Sequence, residues 1–431
     1  MKTIQSITLL LAFALVFTSC NNKQKENKTT ELPPISEVYD SFYEGSLALN
    51  PLYGNRNGIS RYFDRLPNNL TDEFRAKEVT HYQTHLAKIQ QYDRAQLNTS
   101  DQLNYDIMVW YSKNKLAANH NFIKYLPINQ FEAVNLDIAQ LASGSSFQPF
   151  ATLQDYDNWL KRLKDYTIWL DTALANMREG ITLGYVHPKA IVLKIIPQFE
   201  AMAKGPVEDH LFYSPVKNMP ADFTQAERLA IETTYQKMIK EDIIPRYQKL
   251  AEFFKTDYLE AARSTSGIGP LPASSEYYKN QIEFRTSTNL SADSIFNLGK
   301  SEVARIRTEM ELVKKQVGFD GSLVEFFNHV RTNKDLMPYT NPQQVLNSFD
   351  DIQKRMAPQL EKLFDKKPKT PFIVKRTEAF REKSASPQYN PGNPDGSRPG
   401  VFYVPIPDVT AYNVNADEAI FLHEAIPGHH Y

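Results

Sequence analysis

The 431-residue sequence contains a single cysteine, so no disulfide can form within the chain. It also lacks an excess of either charge, because 49 lysines and arginines face 50 aspartates and glutamates and the net charge is −1. This balance argues against a dedicated nucleic-acid binder, which usually carries a basic surplus or stripe. The hydrophobic fraction of 42%, with 12% aromatic residues, is high enough for a large buried core and excludes a disordered chain.

A hydrophobic run long enough to span a bilayer is also missing. The apolar stretch Ile7–Phe17 follows a charged start and ends two small polar residues before Cys20. This order predicts a lipoprotein signal peptide at residues 1–19, acylation of Cys20 and a flexible tether at residues 20–34. The alternative is an ordinary secretory signal that happens to contain a cysteine. The preferred interpretation is an exported lipoprotein of the bacterial cell envelope, facing either the periplasm or the outside.

Residues 35–431 are predicted to form a mainly α-helical domain. Thr224 and Glu227 form a capping box, and Ser291 opens a second helix whose apolar residues recur at near-helical spacing. Pro245 should kink or divide the helix that it interrupts. The strand candidates are residues 372–376 and 401–404, on either side of a turn-rich segment. The fold class is therefore mainly α, with a small β-sheet near the C-terminal end.

The segment FLHEAIPGHHY, residues 421–431, contains the clearest candidate site. In the usual zinc-peptidase helix, His-Glu-x-x-His places two imidazoles one turn apart with a glutamate beside them. Here Pro427 occupies the position of the second histidine. His429 lies six residues after His423, roughly 240° around an ideal helix, and His430 lies seven after it, about 10 Å further along the axis. Neither can share a metal with His423 on a straight helix.

A local break between Ala425 and Gly428 could close this gap. Proline interrupts the helical hydrogen-bond ladder and glycine tolerates unusual dihedral angles, so Pro427-Gly428 suits such a break. The apolar run that precedes His423 predicts a buried helix, and clustered ionisable groups in a dry place need a partner or a metal. The other interpretation is a helix that ends at Pro-Gly and is followed by two exposed histidines. Elsewhere, His81 and His85 are expected to be surface histidines of a charged helix.

The segment HEAIPGHH and six further stretches resemble the bacterial lipoprotein family known as DUF885. The stretches follow in order: LALNPLYGNRNG from residue 47, GYVHPKAIV from 184, IIPRYQKLAEFFKTDYLEAAR from 243, GIGPLPASSEYY from 267, NLSADSIFNLGKSEVARI from 289 and NPDGSRPGVFYV from 393. The resemblance covers essentially the whole chain after the tether. That family is similar to zinc metallopeptidases whose active helix reads His-Glu-x-Gly-His, with two residues inserted here. It implies a large multi-helix, metallopeptidase-like domain.

Carried over to this sequence, the resemblance implies zinc ligation by His423 and His429, with Glu424 as the general base. His430 is implied as an alternative ligand or as a group that supports the ligands. Similar peptidases bind substrate along the edge of a small sheet, which favours residues 401–404 as that edge and Tyr403 and Arg398 as substrate contacts. The implied activity is hydrolysis of short peptides by a metal-activated water.

Similar peptidases take a third zinc ligand and oxyanion-stabilising groups from residues downstream of the motif, and this chain stops at Tyr431. We therefore expect a truncated chain with an incomplete zinc site, weak metal affinity and little activity. The expected partners are a peptide substrate and a membrane reached through the lipid anchor only, with no nucleic acid. The alternative from another class is a non-catalytic helical surface lipoprotein that binds nutrients or peptides.

Overall fold

A computed structural model describes residues 32–119, 121–144, 146–377, 382, 385–393, 396 and 398–431. The signal peptide, Cys20 and most of the tether lie outside the described residues.

The described chain is mainly α-helical, as the sequence predicts. Its helices, in chain order, are α1 Ile35–Leu49, α2 Pro51–Arg56, α3 Asp72–Ile89, α4 Thr99–Ala117, α5 Val134–Ala142, α6 Leu153–Leu183, α7 Lys189–Met202, α8 Ser214–Lys217, α9 Gln225–Lys237, α10 Ile244–Phe253, α11 Leu259–Ala261, α12 Ser274–Thr286, α13 Ala292–Gln316, α14 Leu323–Thr332, α15 Pro342–Leu360 and α16 Asp417–Glu424. None of these helices combines the length and the apolar character that crossing a membrane requires.

Several helices begin at the residues that their caps predict. Thr224 and Glu227 form the capping box of α9, and the Ser291 side chain accepts a hydrogen bond from the first turn of α13. The predicted interruption at Pro245 is confirmed, because α9 is followed by a π-helical turn, Met238–Ile243, and α10 starts just before the proline. The wider π-helical turn lies just before Pro245, which has no backbone N–H to continue the helical hydrogen-bond ladder.

Helix α6 runs through the main hydrophobic core. Its aromatic side chains Trp159, Tyr166 and Trp169 are fully buried and contact residues of α9, α10 and the segments around them. The same helix buries a charge, Arg162, which donates hydrogen bonds to the side chains of Asn55 and Gln148 and to backbone carbonyls of the loop after α2. Arg162 therefore holds that loop against the core through neutral acceptors.

Helix α13 is formed as predicted, but its apolar residues are not buried. None of its 25 residues is buried. Its large apolar side chains are exposed: Phe296, Leu298, Val303, Ile306, Met310, Leu312 and Val313. The pattern predicts the helix correctly, while the described residues provide no core for its apolar side chains.

A three-stranded sheet follows α15 and precedes α16. Its strands are β1 Phe372–Arg376, β2 Gln388–Asn390 and β3 Gly400–Val404. The order is β1-β3-β2, with β3 parallel to β1 and antiparallel to β2. Two of these strands match the predicted ones, but the expectation that residues 401–404 form an open edge is wrong. β3 is the central strand because a short strand from the turn-rich segment pairs with its second side.

One face of the sheet forms a second core with α15 and α16. Phe402 of β3 contacts Phe349 of α15 edge to face, with ring centroids 5.3 Å apart. Phe421 of α16 stacks on Phe349, and all three rings are buried. Helix α16 is therefore anchored to the sheet through Phe421, two residues before His423.

Candidate metal centre

Helix α16 carries the predicted motif. It is preceded by the 3₁₀ turn Val414–Ala416, which Asn413 caps, because the Asn413 side chain accepts a hydrogen bond from the amide of Asn415. The helix then runs from Asp417 to Glu424, so His423 and Glu424 occupy its last turn.

The helix is interrupted after Glu424 and then resumes its register. The amide of Gly428 donates to the carbonyl of Leu422, and the amide of His429 donates to the carbonyl of His423, each over 3.0 Å. These bonds join residues six apart instead of four, so two residues are looped out of the ladder. The Ile426–Pro427 peptide bond within the loop is cis. The predicted break between Ala425 and Gly428 is confirmed.

Gly428 is required where the chain rejoins the helix. A Cβ atom at this position would overlap the carbonyl carbon and oxygen of His423 and would crowd the carbonyl of Leu422. The close approach is what allows the amides of Gly428 and His429 to reach their acceptors. Only glycine, which has no side chain, fits there without moving the backbone.

The looped-out residues bring His423, Glu424 and His429 together. Each offers one ligand atom, and these atoms all lie within 4.8 Å of one another. The two imidazole rings are perpendicular, with centroids 4.9 Å apart, and His429 Nε2 lies 3.8 Å from a Glu424 carboxylate oxygen. Zinc binds imidazole nitrogens and carboxylate oxygens, so the donor set fits a zinc ion. In the part of the chain that the structure describes, this is the one group of three such residues.

The cluster is less buried than the apolar run before it predicts. His423 and His429 are exposed and Glu424 is half-buried. The run does bury Phe421, as well as Ala425 and Ile426 in the loop that follows. The buried residues therefore fix the backbone, while the imidazoles extend outward and remain accessible to an ion and to water.

His430 is directed away from the cluster and onto the sheet. Its Nδ1 lies 2.6 Å from the Tyr389 hydroxyl, and its ring packs against Phe372 with centroids 4.8 Å apart. The hydroxyl end of Tyr389 passes directly over Gly400, where a Cβ would overlap it. Burial lowers the pKa of His430, which favours a neutral ring. The structure thus gives His430 an anchoring contact that holds the segment after the loop.

The two predicted substrate contacts lie elsewhere. Tyr403 alternates with Phe402 along β3, and Phe402 faces α16, so Tyr403 is on the opposite face of the sheet. The Tyr403 ring lies under the ammonium group of Lys375 on β1. Arg398 donates a hydrogen bond to the side chain of Asn393 in the segment before β3, over 3.2 Å. The structure brings neither residue to the histidine cluster.

Sequence reasoning missed Asp417, the first residue of α16. Asp417 is buried, one of its carboxylate oxygens accepts a hydrogen bond from the Tyr412 hydroxyl, and the other has no partner among the described residues. Burial raises the pKa of this carboxyl to about 6, and the Tyr412 hydrogen bond opposes the shift. The sequence does not signal this burial, because an acidic residue in the first turn of a helix is normally exposed and interacts favourably with the helix dipole.

His81 and His85 are not the surface histidines that their charged helix suggests. His85 is buried, and its Nε2 lies 2.8 Å from Ser41 Oγ on α1. His81 Nε2 lies 3.1 Å from Ser46 Oγ, and burial lowers the pKa of His81 to about 4. Both rings join α3 to α1 through these hydrogen bonds, and no carboxylate completes a metal site beside them among the described residues.

Comparison with known proteins gives a family and a fold. The model of the family described as "Bacterial protein of unknown function (DUF885)" matches residues 51–431. A crystal structure described as that of "the putative lipoprotein from Colwellia psychrerythraea" is similar, with a TM-score of 0.81 and 19% sequence identity. The similarity covers 92% of this chain and 72% of that chain. No curated protein matches.

Replacing Gly428 by alanine should displace the segment after the loop. We expect the free energy of unfolding to fall by about 2 kcal/mol, because the new Cβ overlaps the backbone of His423. Urea unfolding measures the change. The control is Gly299→Ala in α13, where no described residue beyond the adjoining helix backbone lies within 4 Å of the added Cβ, and alanine there should be neutral or stabilising. Equal stability of the Gly428→Ala variant and the wild type would contradict the tight approach.

Asp417 should make the unfolding free energy fall as the pH rises. Its folded pKa, about 6, is above that of an unfolded aspartate, so its stabilising effect is complete at acid pH and is lost as the pH passes through 6. Between pH 4 and pH 7.5, we expect the unfolding free energy of the Asp417→Asn variant to fall by about 2 kcal/mol less than that of the wild type. Urea unfolding of both proteins at the two pH values tests this. Identical pH profiles would show that Asp417 does not titrate in this range.

Proposed function

The chain belongs to the DUF885 family of bacterial proteins of unknown function, and on this premise we propose that it is a zinc-dependent hydrolase of short peptides. The observation that supports the proposal is the cluster of His423, Glu424 and His429, with all ligand atoms within 4.8 Å. If the two histidines simply followed the end of a helix by chance, the helical hydrogen-bond register would not have to resume after the loop. Here the restored hydrogen bond between His429 and His423 sets one imidazole beside the other.

We assign His423 and His429 as the residues that would hold the metal. A zinc ion bound there would polarise a substrate carbonyl and make a water molecule more acidic. Glu424 is the general base: its carboxylate accepts a proton from the attacking water and returns it to the leaving amine. Glu424 suits this role because it adjoins both imidazoles and is half-buried, and its carboxylate has no hydrogen-bond partner among the described residues.

The small sheet is the proposed guide for the substrate. An extended peptide can add to an exposed strand edge through main-chain hydrogen bonds. Because β3 is central, the strands available for this are β1 and β2. β1 is the better candidate, since it has five residues against three in β2 and its Phe372 contacts His430 beside the cluster.

The ligand count predicts weak metal binding by this chain. Catalytic zinc sites use three protein ligands and leave a fourth position open. When Glu424 is kept as the base, the described cluster supplies two imidazoles. We therefore expect affinity well below that of a complete site, and correspondingly low activity.

The second candidate function is that of a non-catalytic lipoprotein that binds peptides or nutrients. A cavity of about 1100 Å³ among the N-terminal helices favours it. Both candidates share the proposed location, a bacterial envelope protein anchored through Cys20, and the similar structure described as that of a lipoprotein supports that location. Metal content separates the two candidates.

Zinc binding should depend on the cluster. Equilibrium dialysis against zinc, followed by metal analysis, should give up to one ion per chain, and His423→Ala should weaken binding at least tenfold because one of two imidazoles is lost. His329→Ala, at an exposed histidine of α14 outside the cluster, is the matched control. Undetectable zinc in the folded wild type would rule out the metal centre and leave the second candidate.

Removal of the proposed base should separate metal binding from hydrolysis. We expect Glu424→Gln to retain zinc and to lower the hydrolysis of short fluorogenic peptides at least a hundredfold. The control is Glu418→Gln on the same helix, because Glu418 is exposed and pairs with Arg355. Unchanged turnover in the Glu424→Gln variant would show that another group takes the proton.

A further inference from the structure

A large cavity lies among the N-terminal helices, in a part of the chain that the metal site does not use. Its volume is about 1100 Å³, slightly above the usual range for small-molecule sites. Its walls come from α1 to α6, the segments between them and α12. The floor includes Trp169, which is buried and donates a hydrogen bond from its indole nitrogen to Asn69 over 2.9 Å.

Tyrosine and amide side chains make up much of the lining. The tyrosines are Tyr39, Tyr43, Tyr53, Tyr82, Tyr111 and Tyr277. The amide side chains are Asn50, Asn69, Asn104, Asn119, Asn129 and Gln281. Tyrosine offers apolar area with a polar end, and amide side chains both donate and accept hydrogen bonds. This combination suits a ligand with apolar groups along an amide backbone.

Two cations at the cavity have no carboxylate within ion-pair distance among the described residues. Arg75 of α3 is half-buried, and its guanidinium donates to the neutral side chain of Asn119. Burial lowers the pKa of Arg75, which is the electrostatic cost of this position. Lys115 of α4 is also half-buried, and its ammonium lies 5.4 Å from the centre of the Tyr111 ring. Arg75 and Lys115 both line the cavity, from the neighbouring helices α3 and α4.

The other charges of the lining are largely paired or more exposed. Arg56 pairs with Asp137 over 3.3 Å, and Lys124 pairs with Asp72 over 2.8 Å. Glu78 lies three residues after Arg75 on α3, and the charges of Glu78 and Asp72 both favour the charged form of Arg75. Glu78 makes no ion pair among the described residues, so it remains available to a positive group on a ligand.

We propose that this cavity binds a short peptide by its free C-terminal carboxylate, which Arg75 and Lys115 receive. A guanidinium that a neutral amide orients can donate two parallel hydrogen bonds to a carboxylate. The apolar side chains of the peptide pack against the tyrosines and Trp169, and its backbone amides pair with the asparagine side chains. Glu78 is placed to accept the amino terminus of a peptide short enough to reach it.

The proposal is independent of the zinc site. None of His423, Glu424 and His429 lines this cavity. Peptide binding can therefore be measured on the metal-free protein, where hydrolysis is absent. Failure of the metal centre would leave the binding result unchanged, and failure of peptide binding would leave the metal result unchanged.

The test is calorimetric titration of the metal-free protein, in the presence of a chelator, with trileucine. Three probes show whether the carboxylate and the peptide are both needed. They are the free acid of the peptide, the same peptide with an amidated C-terminus, and the small carboxylate hydrocinnamate. We expect saturable binding of the free acid, with at least tenfold weaker binding of the amidated peptide and of hydrocinnamate. Arg75→Gln should weaken binding of the free acid at least tenfold, because a charged bidentate contact is lost.

The control is Lys88→Gln on the same helix, an exposed cation that does not line the cavity, and it should change binding less than twofold. Lys115→Gln provides the second test if the Arg75 variant does not fold, and thermal unfolding checks both. Equal affinity for the free acid and the amidated peptide would overturn the assignment of the carboxylate. Equal binding of hydrocinnamate and the free acid would overturn the choice of a peptide, and absence of binding to any probe would overturn the site.

Discussion

The arrangement of the candidate metal centre depends on one backbone hydrogen bond, from the amide of His429 to the carbonyl of His423. On an uninterrupted helix the two imidazoles would lie on different sides. Looping two residues out restores the relation that residues one turn apart normally have, so the rings become neighbours. Gly428 makes the bond possible because it alone lets the backbone pass so close to the previous turn. The path of the main chain therefore determines which ligands become neighbours, and the histidine side chains supply the nitrogen atoms.

That main chain is held in place from two directions. Before the loop, Phe421 is locked into the core that α15 and the sheet share. After it, His430 is tied to Tyr389 and packed on Phe372. Between these two anchors the imidazoles of His423 and His429 remain exposed and can turn to meet an ion. A fixed backbone with imidazoles that can rotate allows an ion to bind. A stable metal site also needs a third ligand, which limits the rotation of the imidazoles.

Local signals predicted much of this structure. Caps such as Thr224 and Ser291 fix helix starts through contacts three residues away, and the break at Pro427-Gly428 follows from the chemistry of those two residues. What could not be predicted depends on distant partners. The pairing of β2 with β3 turns an expected edge into the centre of the sheet, and nothing in the segment around Tyr389 signals a strand. Likewise, the burial of His85 is decided by α1, not by the charged helix that carries it.

Helix α13 has a consequence for the dynamics of the chain. Isolated helices are marginally stable in water, and most helices in proteins are stabilised by burying one face. With none of its 25 residues buried, α13 gains little of that stabilisation from the described chain. Its amide hydrogens should therefore exchange with solvent through local opening at a much lower free energy than those of α6, whose aromatic residues fill the main core. The unfolding of this protein would then begin on the surface at α13, while the core around Trp159 and Tyr166 is still intact.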